Sequence, residues 1–90
     1  MYKVVLSKKA AKDRKLLKEA GLENSARNLL GILQVNPFQN PPPYESLRGN
    51  LTGLYSRRIN YKHRIVYSVI EQETTVHVLR MWTHYEQQAR

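Results

Sequence analysis

The sequence predicts a single α+β domain over residues 1–90, with an N-terminal strand and a helical hairpin packed on an antiparallel sheet. Three observations carry that prediction. Apolar side chains recur at helical spacing between residues 8 and 35 and stop at Asn36-Pro37, because the residue before a proline is pushed out of the α region. Beyond Gly53 the pattern changes to runs rich in β-branched and aromatic residues with short links, which pair antiparallel. Residues 38–43, FQNPPP, join the two halves, and their consecutive prolines admit neither helix nor interior strand.

Residues 2–6, YKVVL, read as a short strand, and Ser7 is placed to cap the helix that follows. That first helix spans 8–20. Ala10, Leu17 and Ala20 fall near one face, with Lys8, Lys9, Lys12, Lys15 and Asp13 largely elsewhere, and Gly21 stands where a helix C-cap belongs. The second helix covers 24–35, with Asn24 or Ser25 as its cap and a wider apolar face of Ala26, Leu29, Leu30, Ile32 and Leu33. The proline segment connects helices to sheet, and its stiffness would also fix where Tyr44 and Glu45 are delivered. After a turn at 50–53 come strands at 54–59, 64–70 and 74–82. In the middle strand Ile65, Tyr67 and Val69 share the face that packs under the helices, and Arg64, Val66 and Ser68 share the other. Loop parity decides whether the arginines converge. A three-residue loop at 60–62 sets Arg58 opposite Arg64 on one face, whereas a four-residue loop separates them. The odd loop is the expectation, and two opposed arginines repel unless an anion lies between them.

The net charge of +8 is high for 90 residues and steers the protein towards polyanions, nucleic acid first and an anionic membrane last. No cysteine is present, so disulfides and thiolate metal sites are excluded, which fits a reducing, cytoplasmic setting. No apolar run approaches a membrane span, and the N-terminal MYKVVLSKKA is too short in apolar length for a secretory h-region. His63, His77 and His84 lack any tight ligand spacing, so no metal site is expected. The lysine-rich first helix reads as a solvated face.

The chemistry concentrates in residues 44–67, YESLRGNLTGLYSRRINYKHRIVY. Arg48, Arg57, Arg58, Lys62 and Arg64 surround Glu45, the only carboxylate side chain between Glu23 and Glu71. RNA carries its own nucleophile, the 2′-hydroxyl beside the scissile phosphate. Its cleavage needs a base, positive charge for the developing dianion, and an acid for the 5′-oxygen, but no metal. Glu45, then Arg58 and Arg64 with Arg48 near them, then His84 could supply these parts. Histidine suits the acid role because its ordinary pKa of about 6.5 keeps both forms accessible near neutrality. The plainer alternatives are a non-catalytic RNA- or ribosome-binding module and a co-repressor acting only within a DNA-bound complex.

The run Tyr44-Glu45-Ser46-Leu47-Arg48-Gly49-Asn50-Leu51-Thr52-Gly53-Leu54-Tyr55-Ser56-Arg57-Arg58-Ile59, with His63-Arg64-Ile65-Val66-Tyr67 and the late His84-Tyr85, closely resembles the YoeB/Txe toxins of the RelE-like superfamily. That resemblance implies a microbial-RNase-like fold and a ribosome-dependent endoribonuclease that cuts mRNA in the decoding site without a metal or other cofactor. It implies Glu45 as general base, His84 as general acid, Arg64 stabilising the transition state, Arg58 gripping the phosphate and Tyr85 placing the nucleotide. Arg48 stands where relatives commonly carry lysine, which keeps the charge but changes the donor geometry. Implied partners are mRNA, the ribosome and its RNA, and an antitoxin with an acidic C-terminal segment that masks the site. Operator DNA is reached only through the antitoxin, and relatives can form homodimers. Relatives tend to end at the His-Tyr pair, so residues 86–90 read as a short C-terminal extension.

Overall fold

In the computed structural model, which describes residues 1–82, strand β1 (Lys3–Leu6) leads into helices α1 (Lys8–Glu19) and α2 (Glu23–Val35). Four strands follow: β2 (Glu45–Ser46), β3 (Tyr55–Arg58), β4 (Arg64–Ile70) and β5 (Thr75–Arg80). The Ser7 side chain accepts the Ala10 amide at the start of α1, and Gly21 at φ 76° turns the chain after its end. Helix α2 starts one residue earlier than its polar residues suggest. Its cap position is Leu22, whose side chain makes no capping bond, so neither Asn24 nor Ser25 serves as cap. The backbone of Leu22 instead closes the α1 end by donating to Leu17 O, and tertiary packing sets the boundary.

The sheet is mixed and five-stranded in the order β1-β5-β4-β3-β2. Only β1 runs parallel to its neighbour, with Lys3 beside Thr75 and Leu6 beside Val78. Such a pair needs a crossover, and α1 and α2 supply it. Two strand features differ from the sequence expectation. Glu45–Ser46 joins the sheet edge, and β5 begins at Thr75 because Thr74, at φ 48°, completes a 3-10 turn over Glu71–Glu73. Both helices cover one face. Ala10, Leu17, Ala26 and Leu33 pack against Ile65, Tyr67, Val76, Val78 and Met81, all buried. Ile65 and Tyr67 are on the helix side as their alternation requires.

Asp13 departs from the expected solvated face. It lies one turn from Ala10 and from Leu17, which places it on the buried stripe, and it is 4% exposed. Its carboxylate accepts from Arg80 Nε at 2.9 Å, Arg80 Nη2 at 3.3 Å and the Met81 amide at 3.0 Å. No helix among the described residues is long and apolar enough to cross a membrane.

Candidate active site

Register gathers the site. Arg58 pairs with Arg64, Ser56 with Val66, and Glu45 with Ser56. Directly paired residues of antiparallel strands share a face, so Glu45, Ser56, Arg58 and Arg64 all lie on the face away from the helices. The odd loop is therefore present. Asn60 secures it, its side-chain oxygen accepting from the Lys62 and His63 amides at 2.8 and 2.7 Å.

The two opposed guanidiniums are kept apart by different partners. Arg64, buried at 6% exposure, donates from Nη1 to Glu45 Oε1 at 3.2 Å and to Ser56 Oγ at 3.1 Å. Arg58 is exposed and donates to the Tyr61 carbonyl at 3.1 Å. Around them Pro42, Pro43, Tyr44, Glu45, Ser56, Arg58 and Arg64 line a pocket of about 140 Å³. The pocket brings one carboxylate and two guanidiniums into one concavity, with an aromatic ring in its wall. An anion entering it would meet Arg64 already oriented and Arg58 at the exposed rim, tethered by a surface hydrogen bond to the Tyr61 carbonyl.

Arg57 does something else. Pairing with Ile65 turns it to the helix face, where it is 1% exposed. Nη1 donates to Pro42 O at 2.6 Å, and Nη2 donates to Pro37 O at 3.0 Å and Gln39 O at 2.7 Å. The guanidinium also stands 5.0 Å from the Tyr44 ring centre. Phe38, Tyr44, Tyr55 and Tyr67 form a chain of ring contacts alongside, with centroids 5.3 to 6.1 Å apart. The proline segment is thus curled round a buried cation that gathers its carbonyls, and its rigidity is not that of the prolines alone. This is how Tyr44 and Glu45 are delivered to β3. Burial pushes the Tyr67 phenol up to about 12, against a smaller opposing pull from Arg57, and its hydroxyl donates to Pro37 O at 2.9 Å.

Of the sequence-derived site residues, Glu45, Arg58 and Arg64 meet in the pocket. Arg48 is exposed just before a 3-10 turn over Gly49–Leu51 and is not part of the pocket wall. His84 and Tyr85 lie outside the described residues. His63 is not among the residues that line the pocket. It is buried against Trp82, rings stacked with centroids 3.9 Å apart, and its Nδ1 lies 2.6 Å from the Trp82 carbonyl. Sequence reasoning missed Ser56 and the structural task of Arg57. Parity with Arg58 and Arg64 could have found the first; no local signal separates the second from its neighbour Arg58. Among the described residues no group of three His, Cys, Asp or Glu side chains is arranged to hold a metal ion.

Comparison with known proteins agrees with this fold. The YoeB toxin of Synechocystis sp. is 35% identical over 74 residues, covering 82% of this chain and 77% of that protein. The YoeB/ParE toxin from Agrobacterium tumefaciens superposes with a TM-score of 0.82 at 27% identity, covering 92% of this chain and 99% of that one. The YoeB-YefM complex from Staphylococcus aureus matches at 30% identity and a TM-score of 0.78, covering 94% and 99%. A family model described as a YoeB-like toxin of bacterial type II toxin-antitoxin systems matches residues 7–85, nearly the whole chain, and the protein therefore belongs to that family of toxins.

Proposed function

We propose that this toxin is a metal-independent endoribonuclease that cuts mRNA in the ribosomal A site and so inhibits translation. The observation that carries the reading is the pocket in which Glu45 sits on Arg64 with Arg58 opposite. A scissile phosphate drawn to Arg58 and Arg64 competes with Glu45 for Arg64. The carboxylate released from that contact is within the same pocket, placed to take the 2′-hydroxyl proton as that oxygen attacks phosphorus. Arg64 then faces the charge that develops on the phosphoryl oxygens, held in place by Ser56. His84 returns a proton to the departing 5′-oxygen, Tyr85 places the nucleotide, and Arg48 adds positive charge outside the pocket wall. Support for His84 comes from connectivity. Trp82, two residues ahead of it, is stacked on His63, the neighbour of Arg64.

The partners follow from charge and family. A net charge of +8 favours ribosomal RNA and mRNA, and the complex solved for the Staphylococcus aureus relative supports a cognate antitoxin here. We infer an acidic antitoxin segment covering the arginine face, with operator DNA contacted through the antitoxin and the toxin working in the cytoplasm.

The test is to translate a defined mRNA on purified ribosomes with wild type, Glu45→Gln or His84→Gln, and to map the new ends. Cleavage should fall by roughly 10²–10⁴-fold in each variant and should be absent where a 2′-deoxynucleotide replaces the residue before the cut. Full-rate cutting in both variants would refute the acid–base pair. Tight binding without cutting by the wild type would favour the non-catalytic alternative.

A further inference from the structure

Among the described residues the large apolar side chains exposed to solvent are Met1, Leu16, Val35 and Tyr61, and of these Tyr61 alone belongs to the β3–β4 hairpin. It stands at the tip of the turn, 84% exposed, where its ring buries little and so contributes little to the fold. A tight turn calls for Asn, Asp, Gly or Ser, and Asn60 already meets that call by accepting the Lys62 and His63 amides. From the other strand the Ile59 and Asn60 amides both donate to the His63 carbonyl, at 2.8 and 3.3 Å. The backbone that carries Tyr61 is thus pinned while its ring projects into solvent. Its place is not arbitrary. Arg58 Nη1 donates to the Tyr61 carbonyl at 3.1 Å, which fastens the tip to a guanidinium that lines the pocket. Lys62, the next residue and also exposed, brings a second cation to the same tip.

An exposed aromatic ring among cations is the combination that binds single-stranded RNA. The cations hold phosphates, and the ring takes the flat face of an unpaired base. Arg58 decides which base. It belongs both to the pocket and to the tip, and a base is only one sugar away from its phosphate. A phosphate on Arg58 therefore brings a neighbouring base beside Tyr61. We propose that Tyr61 is a stacking platform for an mRNA base adjoining the scissile phosphate, a subsite built on the β3–β4 turn. The inference rests on the reading of the pocket as the place of cleavage. Every base has a π-face, so this subsite grips any base and adds affinity rather than codon choice. Its effect falls on binding, because the ring touches no reacting atom.

The test uses purified toxin on ribosomes programmed with synthetic mRNAs, in which the nucleotide on one or the other side of the cut is intact or abasic. Wild type is compared with Tyr61→Phe and Tyr61→Ala, with circular dichroism as the check on folding. On intact mRNA, KM should rise roughly 10–100-fold in Tyr61→Ala with kcat little changed, and Tyr61→Phe should stay within about threefold of wild type. One of the two abasic mRNAs should raise the wild-type KM by a similar factor. On that mRNA Tyr61→Ala should add no further loss, because a ring without its base has no contact to lose. A second reading needs no cutting. 2-Aminopurine is placed at that position, with a 2′-deoxy sugar before the cut to block cleavage. Its emission should fall when wild type binds and recover when Tyr61→Ala binds. Wild-type KM in Tyr61→Ala, a loss confined to kcat, or unquenched 2-aminopurine under wild type would overturn the proposal. So would an equal loss in Tyr61→Ala on intact and on both abasic mRNAs, which would mean that the ring serves the fold or meets a ribosomal RNA base instead. Should Tyr61→Ala fail to fold, Tyr61→Ser, with a side chain suited to turns, replaces it. Quenching that depends on Tyr61 in a wild type that cuts nothing would support the subsite and sink the nuclease reading. Cutting without coupling between ring and base would do the reverse.

Discussion

Adjacent arginines in this chain have opposite fates, and the strand explains why. Arg57 and Arg58 differ by one position, so one side chain points into the core and the other into the pocket. Inside, three backbone carbonyls and an aromatic face compensate the charge of Arg57. Lysine cannot reproduce that fork. Arg57→Lys should lower unfolding free energy by about 2–4 kcal/mol in urea titrations and reduce cutting as well, because the segment that delivers Glu45 loosens. Tyr67 gives a second residue-scale prediction. Its phenol is raised to about 12 in the fold, whereas in the unfolded chain it ionises at its ordinary 10.0. The unfolded state therefore releases that proton first, so the stabilisation is intact below pH 10 and is lost as pH climbs towards 12. Tyr67→Phe should be less stable than wild type near neutrality, by about 1 kcal/mol for the lost bond to Pro37. It should also lose less stability than wild type between those two pH values, as urea unfolding across the range would show. None of this was legible from composition. A buried arginine and an exposed one look alike until register assigns their faces.

At the scale of elements, the hairpin of β3 and β4 was the part most open to sequence reasoning. An odd loop and the alternation of Ile65, Tyr67 and Val69 together fix which faces the arginines take. Asn60 is the residue that holds this parity, through its two amide contacts. Asn60→Ala should cost about 1–2 kcal/mol of stability. Hydrogen exchange at the Lys62 and His63 amides should accelerate, with a matching fall in cleavage. The first helix shows the opposite lesson. Its spacing placed Ala10 and Leu17 correctly, yet Asp13 lies on the same stripe, and an acidic residue there was read as solvated. What rescued it from solvent was a partner 67 positions away, beyond the reach of any local pattern. The parallel pairing of β1 with β5 was hidden for the same reason: four residues at one end of the chain carry no mark of which strand they will join.

For the molecule as a whole, charge is the readable property and assembly the unread one. An excess of +8 gathered without cysteines or a membrane helix in the described residues points to a polyanionic partner before any fold is known. Association with ribosomes should accordingly weaken steeply as potassium chloride is raised from low to physiological levels, with a linear fall in log affinity against log salt. A flat salt response in a sedimentation assay would contradict that expectation. Glu45, Arg58 and Arg64 were legible as a set because they crowd one stretch, whereas Ser56, Pro42 and Pro43 became part of the pocket only through pairing and loop closure. The strand order has one more consequence. Among the described residues β5 is the last strand to be synthesised, yet it lies between β1 and β4. A nascent chain that has not yet released residues 75–80 leaves its first strand without a neighbour and its helices without Val76 and Val78 to cover. Such an unfinished polypeptide has no closed core to support its arginine face.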